Sequence, residues 1–81
     1  MKVDYSERAG RTLRGLPPVV RKAVFKQVKF LERDLRHPSL RAKKYDESLD
    51  LWQARVNKDW RFYFLIRDGV YYIVDIIPHP K

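Results

Sequence analysis

The chain contains no cysteine. That excludes disulfides, thiolate metal sites and thiol catalysis, and it fits a reducing compartment. No apolar run approaches the roughly 20 residues that a membrane-spanning helix requires. The opening residues, Met1-Lys2-Val3-Asp4-Tyr5, lack the apolar stretch of a secretory signal. The expectation from these absences is a cytoplasmic protein without membrane contact. Gly-rich phosphate loops, nucleophile elbows and carboxylate dyads are also missing. The two histidines, His37 and His79, are too far apart in sequence to form a metal motif, so neither metal nor cofactor is expected. Acidic residues are scarce in the first half of the chain. Residues 1–44 carry 13 Lys and Arg against 4 Asp and Glu, whereas residues 45–81 carry 5 against 6, for a net charge of +8. A half this basic points to a polyanionic partner, either nucleic acid or an acidic protein segment.

What is present fits one small folded domain, residues 1–81. A hydrophobic content of 44% with 14% aromatic residues is too rich for a disordered chain. Residues 2–5 suit a short strand. Ser6 is a candidate N-cap for a helix over 7–14, with Glu7 in the first turn and Gly15 just past the end. Pro17-Pro18 breaks the chain before a second helix over 18–36. In that helix Val20, Val24, Val28, Leu31 and Leu35 fall within an arc of roughly 80°. Lys22, Lys26, Lys29, Arg33 and Arg36 occupy a similar arc on the opposite side, with Phe25 beside them. The basic stripe is either a solvated face or a contact surface. His37-Pro38 should end the helix. Residues 37–50 read as a loop, with a possible extended piece at 41–45. Period-two alternation then predicts an antiparallel meander over 51–56, 60–66 and 70–77.

The turns set the register. A three-residue loop at Asn57–Asp59 places Arg55 opposite Arg61. A two-residue turn at Asp68-Gly69 would send Asp75 to the core face. A three-residue loop with a bulge at Gly69 pairs Ile66 with Val70 and sets Asp75 opposite Arg61 on the other face. Burying an unpaired carboxylate is costly, so the bulged register is expected. The core face is then Trp52, Ala54, Val56, Trp60, Phe62, Phe64, Ile66, Val70, Tyr72, Val74 and Ile76. The other face gathers Gln53, Arg55, Arg61, Tyr63, Tyr71 and Asp75.

A basic patch with a tyrosine on an exposed sheet face can hold an RNA phosphate, because guanidinium groups match phosphate geometry and stabilise charge that develops during transfer. Like charges directly across a strand pair repel, so Arg55 and Arg61 imply an anionic ligand or a neutralising partner. Asp75 is the candidate neutraliser. His79, between Pro78 and Pro80, is either an exposed tail residue or a proton-transfer group, since imidazole ordinarily titrates at about pH 6.5. Lys43, Lys44, Lys81 and Gln53 are further candidates for RNA contact, and Tyr63 is a candidate for positioning the RNA or stacking on a base.

The order β-α-α-β-β-β resembles the RelE/ParE superfamily of toxins from toxin–antitoxin systems. The resemblance is carried by Leu16-Pro17-Pro18-Val19-Val20-Arg21, Leu51-Trp52-Gln53-Ala54-Arg55-Val56, Trp60-Arg61-Phe62-Tyr63 and Ile76-Ile77-Pro78-His79. It implies an α+β fold in which a strand and a two-helix hairpin pack on a twisted antiparallel sheet. It also implies a metal-independent endoribonuclease, an mRNA interferase that cleaves mRNA, often on the ribosome, by attack of the ribose 2′-OH on the adjacent phosphate. By that likeness Arg61 holds the scissile phosphate, Arg55 supports it, His79 transfers the proton and Lys81 supplies a terminal cation. Gln53 stands where active members often carry Lys or Arg. Members of the ParE type instead inhibit DNA gyrase by protein contact, so a binding module is the alternative. Either way the implied partner is an acidic, partly disordered antitoxin, lying across the basic helix stripe or across the arginine face.

Overall fold

Local sequence fixes both helix boundaries. The computed structural model describes residues 1–79. After strand β1 (Lys2–Tyr5), Ser6 is extended and its Oγ accepts from the Ala9 N–H at 3.0 Å, which starts helix α1 (Glu7–Gly15). The same hydroxyl donates to the Val74 carbonyl at 3.1 Å and so ties the helix start to the sheet. Leu16 and Pro17 are extended, and Pro18 opens helix α2 (Pro18–Arg33), where its missing N–H is harmless. Helix α2 ends three residues short of the expected Arg36. Asp34 takes an extended conformation and its Oδ1 accepts from the Arg36 N–H at 2.9 Å, so a side-chain turn replaces the next helical turn.

Four strands follow: β2 (Lys43–Asp46), β3 (Leu51–Arg55), β4 (Trp60–Arg67) and β5 (Val70–Pro78). The sheet order is β1-β5-β4-β3-β2, and β1 runs parallel to β5 while the other pairs are antiparallel. The sheet is therefore mixed and five-stranded rather than purely antiparallel. A parallel pair needs a long crossover, and everything between β1 and β5 supplies it. Strand β2 lies in the segment expected to be mainly loop. It is a short edge strand interrupted by a bulge between Lys44 and Asp46, and such strands leave little periodic trace.

The β3–β4 hairpin has the expected register. Asn57 organises its loop, its Oδ1 accepting from the N–H groups of Asp59 and Trp60 at 2.8 and 3.0 Å, and Arg55 lies opposite Arg61. The β4–β5 hairpin departs from expectation. Asp68 and Gly69 both have positive φ, 52° and 75°, in a two-residue turn that pairs Arg67 with Val70. The bulge lies farther along, where Phe64 pairs with Ile73 but Tyr63 pairs with Asp75. Moving the bulge moves the core. Tyr71 and Ile73 are buried, Tyr72 is 38% exposed, and Val70 and Val74 are only partly covered. Asp75 does reach the face away from the helices, but opposite Tyr63 and not Arg61. Ala9, Leu13, Leu16, Val24, Val28 and Leu31 close the other face over Ala54, Val56, Phe62, Phe64, Ile73 and Ile76. Val20, Leu35, Trp52 and Trp60 pack at its margin. No helix among the described residues is long and apolar enough to cross a membrane.

Candidate functional site

At one end of the outer sheet face, Arg41, Lys43, Gln53, Arg55, Arg61 and His79 line an open cleft of about 240 Å³. Each is delivered by a specific backbone contact. Arg55 is pinned twice: its N–H donates to the Leu40 carbonyl at 2.7 Å, and its own carbonyl accepts from Gln27 Nε2 at 2.7 Å. Gln27, on α2 and only 4% exposed, also donates to the Ser39 carbonyl at 3.0 Å and accepts from Ser39 Oγ at 2.9 Å. One amide thus fastens the 37–42 loop and the end of β3 to the helix. The fastened loop brings Arg41, at φ 47°, to the cleft. The Arg61 guanidinium is held by the hairpin itself, its Nη1 donating to the carbonyls of Asn57 and Trp60. The His79 N–H donates to the Asp59 carbonyl at 2.7 Å, so the histidine is fastened beside the hairpin and not carried on a loose tail.

The electrostatics are one-sided. Partial burial lowers the affinity of Arg61 for its proton, and the guanidinium groups of Arg55 and Arg41 lower it further, with Tyr63 and Asp59 opposing. An arginine stays charged under such a load. Like charges gathered around one cleft favour an anion between them. The neutraliser expected from the sequence is absent: Asp75 stands 3.9 Å from Arg8 Nη1, and its Oδ1 accepts from the Ile76 N–H at 2.9 Å. Among the described residues no carboxylate lies within ion-pair distance of Arg41, Lys43, Arg55 or Arg61.

Other candidates divide. Gln53 joins the cleft, and its Nε2 donates to the Tyr63 hydroxyl at 2.9 Å. Tyr63 is buried, its ring covered edgewise by Tyr45 at 5.0 Å, so it supports the site and has no free face for a base. Lys43 lines the cleft, whereas strand alternation turns Lys44 to the helix side, where it pairs with Asp50 and lies 5.1 Å over the Trp52 ring. That pairing raises the Lys44 ammonium above its ordinary proton affinity, chiefly through the hydrogen bond to Asp50. Lys81 lies outside the described residues. Two participants escaped the sequence reading. Arg41 precedes β2 by two positions, and its left-handed backbone, φ 47°, breaks the strand alternation that would have placed it. Gln27 borders the apolar stripe of α2, where a polar residue must find partners.

The arrangement of three guanidinium groups, an amine, an amide and an imidazole around one concavity suits a phosphodiester. No family model matches the sequence, and no curated protein does. Solved structures do. A YoeB/ParE toxin from Agrobacterium tumefaciens superposes with a TM-score of 0.81 at 9% identity, covering 99% of this chain and 100% of the other. The archaeal RelE–RelB complex from Pyrococcus horikoshii OT3 gives 0.79 at 21% identity, covering 95% and 92%. The toxin–antitoxin complex RelBE2 from Mycobacterium tuberculosis gives 0.79 at 23% identity, covering 96% of each chain. The chain has the fold of the RelE and YoeB/ParE toxins.

Proposed function

We propose that this protein is the toxin of a type II toxin–antitoxin pair and that it cleaves mRNA without a metal ion. The observation that carries the reading is the cluster of Arg41, Arg55 and Arg61 with Lys43 and His79, in which no carboxylate among the described residues lies within ion-pair distance of the arginines or the lysine. A phosphodiester placed there has its non-bridging oxygens against guanidinium groups that are already oriented. Charge developing on those oxygens is stabilised without reorganisation. His79 takes the proton of the ribose 2′-OH. The 2′ oxygen attacks phosphorus, the bond to the 5′ oxygen breaks, and water protonates that leaving oxygen. The products are a 2′,3′-cyclic phosphate and a 5′-hydroxyl end. Gln53 and Tyr63 hold the cleft wall. An acidic antitoxin is the fitting inhibitor, as three proteins of this fold are described in toxin–antitoxin complexes.

The test is induced expression with transcript integrity and DNA damage followed together. The wild type should arrest growth and fragment messages within minutes. Arg61→Ala should fold and lose cleavage by about 10²-fold or more. Full cleavage by a folded Arg61→Ala protein refutes the site. An intact message pool with a DNA-damage response refutes the nuclease and favours the gyrase-inhibiting alternative.

A further inference from the structure

The outer sheet face carries a second concavity next to the arginine cleft. It measures about 300 Å³ and is lined by Arg8, Tyr45, Leu51, Tyr63, Asp75 and Ile77 among others. The two share a wall, since Gln53 lines the cleft, Tyr63 lines the groove, and they are joined by the 2.9 Å hydrogen bond between them. Tyr63 and Arg61 lie two residues apart on one face of β4. That is roughly 7 Å, the scale of one nucleotide. We propose that the groove is a nucleobase subsite that reads guanine in single-stranded RNA whose phosphate occupies the cleft. The proposal rests on the RNA reading of that cleft.

Three observations carry it. Tyr45 is 58% exposed, and its contact with Tyr63 is edgewise at 72°, so a large aromatic surface is left to solvent at the groove. Bases stack on such surfaces. At the other side the Arg8 guanidinium stands beside the Asp75 carboxylate, whose Oδ2 is 3.9 Å from Arg8 Nη1. Guanine presents an acceptor, O6, beside two donors, N1–H and N2–H, so a guanidinium next to a carboxylate is the complementary row. Adenine presents a donor beside the lone pair of N1, which the carboxylate repels. Finally, both sheet bulges border this groove. One brackets Tyr45, between Lys44 and Asp46, and the other lies between Ile73 and Asp75. Without the second, continued alternation would carry Asp75 to the core face. Bulges re-aim side chains at sites of this kind.

The test is anisotropy with 2′-O-methyl pentanucleotides, which resist cleavage, having uridines around a central guanosine, adenosine or abasic residue. The wild type should prefer guanosine over adenosine, and guanosine over the abasic residue, each by about tenfold or more. Tyr45→Ala should bind all three with the affinity of the abasic probe. Asp75→Asn should bring guanosine and adenosine within about twofold, because a carboxamide offers both a donor and an acceptor. Arg61→Ala should weaken all three probes alike. If the wild type binds the three probes equally while Arg61→Ala still weakens them, the groove is no base subsite and the cleft reading stands. If Arg61→Ala leaves the abasic probe unaffected, the cleft reading itself falls. Failure of every probe to bind overturns both.

Discussion

Gln27 is the residue on which the geometry of the cleft turns, and Gln27→Leu isolates its role. Leucine is close to glutamine in volume, so packing in the 4%-exposed position should be nearly conserved. What is lost is the pair of bonds from Nε2 to the carbonyls of Arg55 and Ser39, and the bond from Ser39 Oγ to Oε1. A buried polar group left without a partner costs about 1–3 kcal/mol. Ser39 is only partly buried and recovers water, so the Arg55 carbonyl dominates and the total should be about 2–4 kcal/mol. For a domain of this size that lowers the melting temperature by about 10–25 °C. Thermal unfolding by circular dichroism measures it. The second consequence appears well below the melting transition. The loop bearing Arg41 and the end of β3 bearing Arg55 are no longer fastened together, so affinity for a phosphate probe should fall although every cleft side chain remains. A melting temperature within about 4 °C of wild type, with unchanged phosphate affinity, refutes the claim that this amide organises the site.

Three further outcomes are expected. Phe62, fully buried at the centre of β4, should cost about 3–5 kcal/mol when truncated to alanine, read from chemical denaturation, and an unchanged midpoint would mean the face assignment of β4 is wrong. Asp46 and Asp50 are both held below the ordinary carboxylate range, Asp46 by its bonds from Ser48 and the Leu49 N–H and Asp50 by its bond from Lys44. A depressed folded value means the stabilisation is complete above the ordinary value of about 4 and is lost as pH falls through the folded one. Melting temperature should therefore drop below about pH 4, and Lys44→Met should shrink the part of that drop due to Asp50. Lys44→Ala should leave RNA affinity within about twofold of wild type, because its ammonium is engaged with Asp50 on the helix side, outside the cleft. A loss as large as that of Arg61→Ala in the same anisotropy titration would return Lys44 to the site.

Much of this was legible because local chemistry decided it. Ser6, Pro17-Pro18 and the three-residue Asn57–Asp59 loop each specify one geometry, and the facing of Arg55 and Arg61 followed from the last of these. The β4–β5 register was misread for an equally physical reason. The pattern required Asp75 to leave the core, and one inserted residue anywhere between the turn and Asp75 accomplishes that. Period-two alternation cannot locate it when both faces of β5 are apolar, as Tyr71, Tyr72, Ile73 and Val74 are. The burial of Tyr71, the exposure of Tyr72 and the freedom of Arg61 from Asp75 all follow from that single displacement. Helix α2 stopped early for a local reason of the same kind, since Asp34 competes for the backbone with its own carboxylate. The contributions of Arg41 and Gln27 were harder to read, because they depend on a loop that is organised by tertiary hydrogen bonds and carries a left-handed residue.

For the antitoxin proposed above, the exposed surface of α2 offers a docking site. On α2 the side chains of Lys22, Lys26, Lys29 and Arg33 all face solvent, and none has a carboxylate at ion-pair distance among the described residues. Beside them Val19 is 78% and Phe25 46% exposed, so the stripe borders an apolar strip that a solvated helix face does not need. An acidic segment that folds on binding gains both from attraction at a distance and from burial on contact. Changing Lys22, Lys26 and Arg33 to Glu shifts the net charge by six units, from +8 to +2, and places the change on the approach path. The Debye length is about 10 Å at 0.1 M salt, so the effect belongs mainly to the encounter. The association rate should fall by about tenfold or more at low salt, its dependence on salt should flatten, and dissociation should change less. All three side chains are exposed, so the fold should survive. Stopped-flow association across a salt series decides the matter: an unchanged rate and an unchanged salt slope would move the partner off this helix and toward the arginine cleft.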